Sequence, residues 1–194
     1  STALTEEYRA SRSEEVRSFE DYLQLESRLF AQLDAKVYGP GPAGPGDALL
    51  RYTSGSASDP GVRVPNWNRS IELPAAQPVG GVLLLHGMSD SPYSLRSIGM
   101  ALAARGYRVV GLRLPGHGIA PAGLLRFEVE DLEAAARLAM LDLRAALGES
   151  RPIHMIGYSN GAALAVSYAL DARTDATLPR PAGLVLISPA IGIT

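Results

Sequence analysis

The second half of the sequence alternates short apolar runs with segments of helical period, and this alternation limits the possible folds more than any other feature. The predicted strands are residues 80–85, 107–112, 153–157 and 183–188, of which residues 80–85 are a continuous apolar run. The helical segments between them are residues 92–105, 128–147 and 161–172. Runs that are apolar throughout are typical of strands buried on both faces. The pattern predicts an α/β fold: a mostly parallel sheet with right-handed crossovers and helices on both faces.

The N-terminal part of the chain has a different character. Residues 5–37 are rich in charge, and apolar side chains recur at helical spacing along one stripe: Phe19, Tyr22, Leu25 or Glu26, Leu29, Leu33 and Val37. Ser18 and Asp21 are suited to cap a restart of the helix within this range. We predict an amphipathic helix packed on the main domain. A helix that binds a partner or a membrane surface is the alternative, although its mixed charges disfavour lipid.

A run of glycine and proline, residues 39–46, follows this helix. It suits neither a helix nor a central strand and therefore predicts a linker. Two short strand candidates come next, residues 49–53 and 68–73, with loop-forming residues between them. We divide the chain into a helical extension with its linker, residues 1–46, and an α/β unit, residues 47–194.

Composition excludes several classes of function. The 194 residues are 46% apolar and 20% charged, with a net charge of −2, which predicts neither nucleic-acid binding nor attachment to an anionic membrane. No cysteine is present, so disulfides, thiolate catalysis and cysteine metal sites are excluded. No apolar stretch reaches the ~20 residues that span a bilayer. The compartment stays open between the cytoplasm, the default, and an exported form with a trimmed leader, because the sequence starts without Met.

A Gly-x-Ser-x-Gly motif, Gly157 to Gly161, lies at the junction between a predicted strand and a predicted helix. A serine at such a junction occupies a tight, strained turn, and the glycines let the helix approach the strand. The helix N-terminus directs backbone N–H groups towards developing negative charge. The motif therefore indicates a nucleophile at Ser159. A plain strand–turn–helix with glycines for steric reasons is the alternative.

A second loop, His86-Gly87-Met88, ends the first apolar run at the same edge of the predicted sheet. Acyl transfer needs two donors aimed at the tetrahedral oxyanion. The backbone N–H of Asn160, next to the serine, is suited to be one donor. The backbone N–H of Met88 is suited to be the other.

The chain has only three histidines, and all of them precede Ser159. His86 lies at a strand end, and His117 lies in a glycine-containing loop, residues 114–118, after the next strand. We interpret both as residues that brace loops rather than as bases. His154 falls inside a predicted strand and is expected to be structural.

Three motifs, the loop His86 to Pro92, the loop Pro115 to Gly118 and the motif at Ser159, together resemble the α/β-hydrolase superfamily. They are most similar to bacterial carboxylesterases, monoacylglycerol lipases and lysophospholipase-like members, over residues 79–193. The resemblance implies that Ser159 attacks a small-molecule carboxylic ester, such as an acyl glycerol, and forms an acyl-enzyme. It implies no cofactor and no metal.

The sequence departs from this superfamily after Ser159. The family's acid and histidine follow the nucleophile on later strands, whereas Asp171 and Asp175 fall at the end of a helix and in the loop beyond it. We expect this chain to be the N-terminal part of a hydrolase, with a C-terminal part, continuous or a second chain, that supplies both residues. Thioesterase or serine peptidase activity is the alternative among enzymes. A non-catalytic fold that binds a ligand or partner is the alternative outside them.

Overall fold

The computed structural model describes residues 4–38 and 51–192. Its centre is a five-stranded sheet in the order β1-β3-β2-β4-β5. The strands are β1 (Ile71–Leu73), β2 (Gly80–Leu85), β3 (Tyr107–Leu112), β4 (Ile153–Tyr158) and β5 (Gly183–Ile187). Strands β2 to β5 are parallel, and β1 pairs with β3 in the antiparallel sense. This sheet confirms the predicted α/β class.

The described residues form four α-helices around the sheet: α1 (Phe19–Lys36), α2 (Arg96–Ala103), α3 (Val129–Leu147) and α4 (Asn160–Thr174). Short 3-10 turns lie at Ala10–Glu15, Pro60–Val62, Pro92–Leu95 and Pro121–Leu125. Within the described ranges, no helix has both the length and the apolar character needed to cross a membrane.

Helices cover both faces of the sheet, and β2 shows the consequence most directly. All six of its residues are buried. Leu83 and Leu85 belong to the core cluster shared with α1, α3 and α4, whereas Val82 and Leu84 belong to the cluster shared with α2. Side chains alternate between faces along a strand. A strand covered twice therefore requires an unbroken apolar run, as the sequence predicts.

The N-terminal helix α1 packs on the sheet domain, as its apolar stripe predicts. It starts at a capping box, in which the Asp21 N–H donates to Ser18 Oγ at 3.1 Å and the Ser18 N–H donates to Asp21 Oδ2 at 3.0 Å. Phe19 and Tyr22 are buried in the main core with side chains of α3. The predicted linker, residues 39–46, lies outside the described residues, so the division of the chain at residue 46 stays a prediction.

Two predicted helices begin later than their sequence pattern suggests. Residues 5–37 do not form one helix, because a 3-10 turn at Ala10–Glu15 precedes α1. The helix expected over residues 92–105 starts as a 3-10 turn and becomes α-helical only at Arg96.

The two strand candidates before the main sheet are also corrected. The strand expected over residues 68–73 is limited to β1, because the Arg69 N–H donates to the Asn66 carbonyl at 3.0 Å and closes a turn. Of the strand expected over residues 49–53, Arg51 and Tyr52 form a turn and Thr53 forms an isolated β-bridge. Residues 49 and 50 lie outside the described ranges.

Candidate active site

Ser159 is the single residue between β4 and α4, and its backbone is strained. Its φ of 52° and ψ of −115° lie in a region that non-glycine residues rarely adopt. Backbone hydrogen bonds hold the turn: the Ser159 N–H donates to the Ile187 carbonyl at 2.9 Å, and the Ser159 carbonyl accepts from the Ala190 N–H at 3.1 Å. The side chain of Ser159 is half-buried at the carboxyl edge of the sheet.

The glycines around Ser159 are required by close packing. A Cβ atom at Gly157 would lie 2.5 Å from the backbone nitrogen of Ala162, and one at Gly161 would lie 2.5 Å from the carbonyl carbon of Leu85. Neither backbone could accept a side chain without moving. Helix α4 therefore begins directly against the end of β2, and its N-terminus, with its partial positive charge, lies beside Ser159.

The loop after β2 contacts the turn at Ser159. A Cβ at Gly87 would lie 3.3 Å from the Ser159 Cβ, so the two residues are in contact. The backbone N–H of Met88 has no hydrogen-bond acceptor among the described residues. The N–H of Asn160, at the first position of α4, lacks an intrahelical acceptor because all first-turn N–H groups do. Both groups are therefore available to a ligand.

Met88 and Asn160 also line one cavity of about 200 Å³, here named the apolar cavity. Its lining is Met88, Phe127, Val129, Leu132, Glu133, Asn160, Ala163, Leu164 and Ser167. The charged member, Glu133, accepts a hydrogen bond from Ser167 Oγ at 2.9 Å. The rest of the wall offers mostly hydrocarbon surface to a ligand.

Both ring nitrogens of His86 are engaged by loop backbone. The Leu114 N–H donates to His86 Nε2 at 3.1 Å, so the proton lies on Nδ1, which donates to the Gly87 carbonyl at 2.9 Å. The ring is fully buried, and burial is the main cause that lowers the pKa of His86 to about 3. His86 thus joins the loop after β2 to the loop after β3 as a neutral side chain.

His117 is also buried in this loop cluster. Its Nδ1 donates to the Pro115 carbonyl at 2.9 Å, and its ring contacts those of His86 and Phe127 at centroid distances of 5.2 and 5.0 Å. Burial lowers the pKa of His117. His154 lies within β4, where its ring meets Tyr107 at a centroid distance of 6.3 Å.

No base contacts Ser159 within residues 4–38 and 51–192, because its Oγ has no hydrogen bond to a histidine or carboxylate there. Asp171 and Asp175 lie at the far end of α4, where Asp171 pairs with Arg137 at 2.8 Å and Asp175 accepts from Thr177. No cluster of three or more metal-ligating side chains is present in the same ranges.

The neutral state of His86 predicts acid sensitivity. Between its ordinary pKa of 6.5 and its folded value of about 3, the unfolded chain binds a proton that the folded protein does not. The free energy of unfolding should therefore fall by about 1.4 kcal/mol per pH unit as pH decreases below 6.5. Chemical denaturation at pH 7, 6 and 5 measures this slope. The variant His86→Gln, which keeps an acceptor for the Leu114 N–H, should show a shallower slope. An unchanged slope would contradict the assignment of the pH dependence to a neutral, buried His86.

Sequence analysis missed the most buried charge of the site, Arg113, which follows β3 and is 1% exposed. Its guanidinium binds Glu7 through two hydrogen bonds of 2.9 and 3.0 Å and binds Glu26 through Nε at 2.9 Å. It also donates to the His117 carbonyl at 3.1 Å. Burial alone would lower the pKa of Arg113, but Glu7, Tyr22 and Glu26 together outweigh burial and raise it.

Both carboxylates are satisfied by further donors. Glu7 accepts from the Gly116 N–H at 2.9 Å, and Glu26 accepts from the N–H and the hydroxyl of Ser70, each at 2.9 Å. Residues from the N-terminal segment therefore hold the loop that carries His117. Two signals in the sequence point to this pairing: Glu26 falls on the apolar stripe of α1, and Arg113 stands between two leucines at a strand end.

A sequence model of the α/β-hydrolase fold matches residues 81–191, more than half of the chain. The chain belongs to the α/β-hydrolase family. This family assignment confirms the resemblance drawn from the loops at His86 and His117 and from the motif at Ser159. No curated protein matches the chain closely enough to count as a relative.

Solved structures of the α/β-hydrolase family match the chain over part of its length. A structure from work on LipS and LipT, two metagenome-derived lipolytic enzymes, shares 30% identity with a TM-score of 0.55, covering 63% of this chain and 46% of that one. A monoacylglycerol lipase of Paleococcus ferrophilus shares 26% identity with a TM-score of 0.47, covering 63% and 43%. This hydrolase chain thus spans less than half the length of these two proteins.

Proposed function

We propose that the protein hydrolyses carboxylic esters, with Ser159 as the nucleophile. The observation that carries the proposal is the strained turn at Ser159, which sets the side chain between the N-terminus of α4 and the loop that holds Met88. Membership of the family supports hydrolysis but does not decide the chemistry, because one fold hosts many reactions. The residues of the turn therefore carry the argument.

In this mechanism Ser159 Oγ attacks the ester carbonyl carbon, and the carbonyl π electrons move to its oxygen. The N–H groups of Met88 and Asn160 would then donate to that oxyanion, in a site that needs no reorganisation. Collapse breaks the bond to the alcohol, which leaves with a proton, and an acyl group stays on Ser159. Water then attacks the acyl-enzyme, releases the acid and restores the serine.

The proton transfers need a base within hydrogen-bond reach of Ser159 Oγ. His86 is unsuited because both of its nitrogens are occupied and it stays neutral to about pH 3. We expect the general base, a histidine, and its acidic partner to come from residues outside these 194, in the same chain or in a second one. In the family the acid and the histidine come after the nucleophile, on later strands, so we expect both residues to follow strands beyond β5.

The apolar cavity supports a hydrocarbon acyl group as the part of the substrate bound beside the oxyanion. It adjoins both proposed oxyanion donors and contains Val129 and Leu164. The description of LipS and LipT as lipolytic enzymes supports a substrate with a hydrocarbon acyl group. The proposed substrate is an acyl glycerol or a similar lipid-like ester.

A direct test uses the full-length protein with p-nitrophenyl butyrate, a butyryl thioester and a butyryl p-nitroanilide. We expect the ester to be hydrolysed fastest and a fluorophosphonate to add covalently to Ser159, as located by peptide mass spectrometry. Faster thioester or anilide cleavage would replace the proposal with one of those activities. Absence of both turnover and labelling would show that the fold binds without catalysis.

The oxyanion donors are proposed as backbone groups, so their side chains should matter little. We expect Met88→Ala and Asn160→Ala each to lower kcat by less than about tenfold, because neither removes an N–H, whereas loss of a true oxyanion donor costs about 10² to 10³. Steady-state kinetics with p-nitrophenyl butyrate measure this. A hundredfold loss in Asn160→Ala would mean that its side chain, not its backbone, is the donor.

A further inference from the structure

A second and larger cavity, of about 530 Å³, lies on the other side of the loop after β2. Ser89 and Asp90 line it, whereas the preceding residue, Met88, lines the apolar cavity. The two cavities therefore flank one short loop. We name the larger one the arginine cavity, because Arg51 and Arg63 form part of its wall.

The arginine cavity has a buried polar floor. Trp67, Asn68 and Ser91 all line it, and each is less than 10% exposed. Ser91 Oγ donates to Asn68 Oδ1 at 2.9 Å, which fixes the amide. Asn68 Nδ2 is then a buried donor with no acceptor among the described residues. A buried donor of this kind is costly unless a ligand or water satisfies it.

The wall carries an excess of positive charge. Neither Arg51 nor Arg63 has a carboxylate within ion-pair distance in the part of the chain that the structure describes. The guanidinium of Arg63 lies over the Tyr93 ring, 5.5 Å from its centroid, which orients it at the cavity wall. Asp90 is the one carboxylate of the lining, and its Oδ1 already accepts from the Ser91 N–H at 2.8 Å.

We infer that the arginine cavity binds an anionic group, a carboxylate or a phosphate, carried by the alcohol part of the ester. The inference rests on the proposed function: Ser159 lies beside the loop after β2 at Gly87, and this loop lines both cavities, so an ester bound at Ser159 would be positioned to direct its acyl part to one cavity and its alcohol part to the other. Planar guanidinium groups recognise carboxylate and phosphate alike through paired N–H donors. Asn68 Nδ2 and the hydroxyls of Ser58 and Ser89, which also line the cavity, add neutral donors for the same group.

Binding can be measured without turnover, because Trp67 is the protein's single tryptophan and lines the cavity. The variant Ser159→Ala would be titrated with glycerol 3-phosphate, inorganic phosphate, acetate and glycerol while tryptophan fluorescence is followed. We expect a saturable change with at least one of the three anionic probes and none with glycerol. Comparison of phosphate with acetate identifies the preferred anion. An equal change with glycerol, or no change with any probe, would overturn the inference.

Steady-state kinetics test whether anion binding in the arginine cavity contributes to ester hydrolysis. The full-length protein would be assayed with butyryl esters of glycerol, of glycerol 3-phosphate and of glycolate. We expect Arg51→Gln and Arg63→Gln each to lower kcat/KM for the preferred anionic ester by about tenfold, the effect of losing one hydrogen bond to a charge, and to leave the neutral ester unchanged. Arg173→Gln, an exposed arginine at the end of α4, is the matched control.

The outcomes separate the two proposals. If the protein hydrolyses the neutral ester, and kcat/KM for the anionic esters is the same in Arg51→Gln and Arg63→Gln as in the unchanged protein, the anion site is overturned and the proposed function stands. Anion binding to the Ser159→Ala variant in a protein that hydrolyses no ester would support the site and overturn the proposed function.

Discussion

Replacing Ser159 by alanine is expected to abolish ester hydrolysis, with a fall in kcat of about a thousandfold or more. Removal of a catalytic nucleophile typically costs several decades in rate, and the residual rate comes from the remaining oxyanion donors. The backbone at this position is already held at a φ of 52° by hydrogen bonds to Ile187, the last residue of β5, and to Ala190. Alanine tolerates that conformation about as well as serine does, so the thermal midpoint should change little.

Ser188→Ala is the matched control for this experiment. Ser188 also ends a strand at the carboxyl edge and also has a positive φ, of 45°, but it contributes no group to the proposed mechanism. It should retain activity and fluorophosphonate labelling. Turnover above about 1% in Ser159→Ala, measured with p-nitrophenyl butyrate, would contradict the assignment of the nucleophile.

Replacing Arg113 by methionine is expected to lower the free energy of unfolding by about 3–5 kcal/mol, because Glu7 and Glu26 would stay buried without their cation. In a protein of this size the thermal midpoint should fall by about 10 °C. Urea denaturation followed by circular dichroism measures the change. Arg113→Lys should also destabilise, since an ammonium cannot reproduce the paired hydrogen bonds to Glu7.

An exposed ion pair on the same segment provides the control. Arg28 and Glu6 approach to 3.3 Å, and 57% of the Arg28 side chain is exposed. Arg28→Met should cost less than about 1 kcal/mol. Adding Glu7→Gln and Glu26→Gln to Arg113→Met should recover part of the stability, because it removes the uncompensated charges. A cost below about 1 kcal/mol for Arg113→Met would mean that water reaches the carboxylates.

The sequence predicts those elements that depend on local pattern. The bounds of β2 follow from its unbroken apolar run, and those of β3 match the predicted strand at residues 107–112. The Ser18–Asp21 capping box follows from residue type and spacing. Helix α4 is longer than predicted by one residue at its start and two at its end, since helix ends depend on caps that pattern does not fix. The loops at His86 and Ser159 come together because parallel strands share a carboxyl edge.

The parts that sequence reasoning missed depend on contacts between distant segments. Arg113 pairs with Glu7 across 106 positions, and no periodicity links the two. The arginine cavity combines Arg51 and Arg63 with Asp90 from another loop, which only the folded chain brings together. Over the described part of the strand expected at residues 49–53, only Thr53 forms a β-bridge, since strand formation depends on tertiary context as well as on residue type.

The pairing of the first helix with Arg113 also bears on how the chain is made. The ribosome adds Glu7 and Glu26 to the growing chain before Arg113, which follows 106 and 87 residues later. At cellular synthesis rates that interval is roughly 5–20 s. Throughout it, the apolar stripe of α1 has no strand β3 to cover it. Helix α1 is therefore translated well before the strand and the arginine that it packs against, and its apolar side stays uncovered by β3 during this interval.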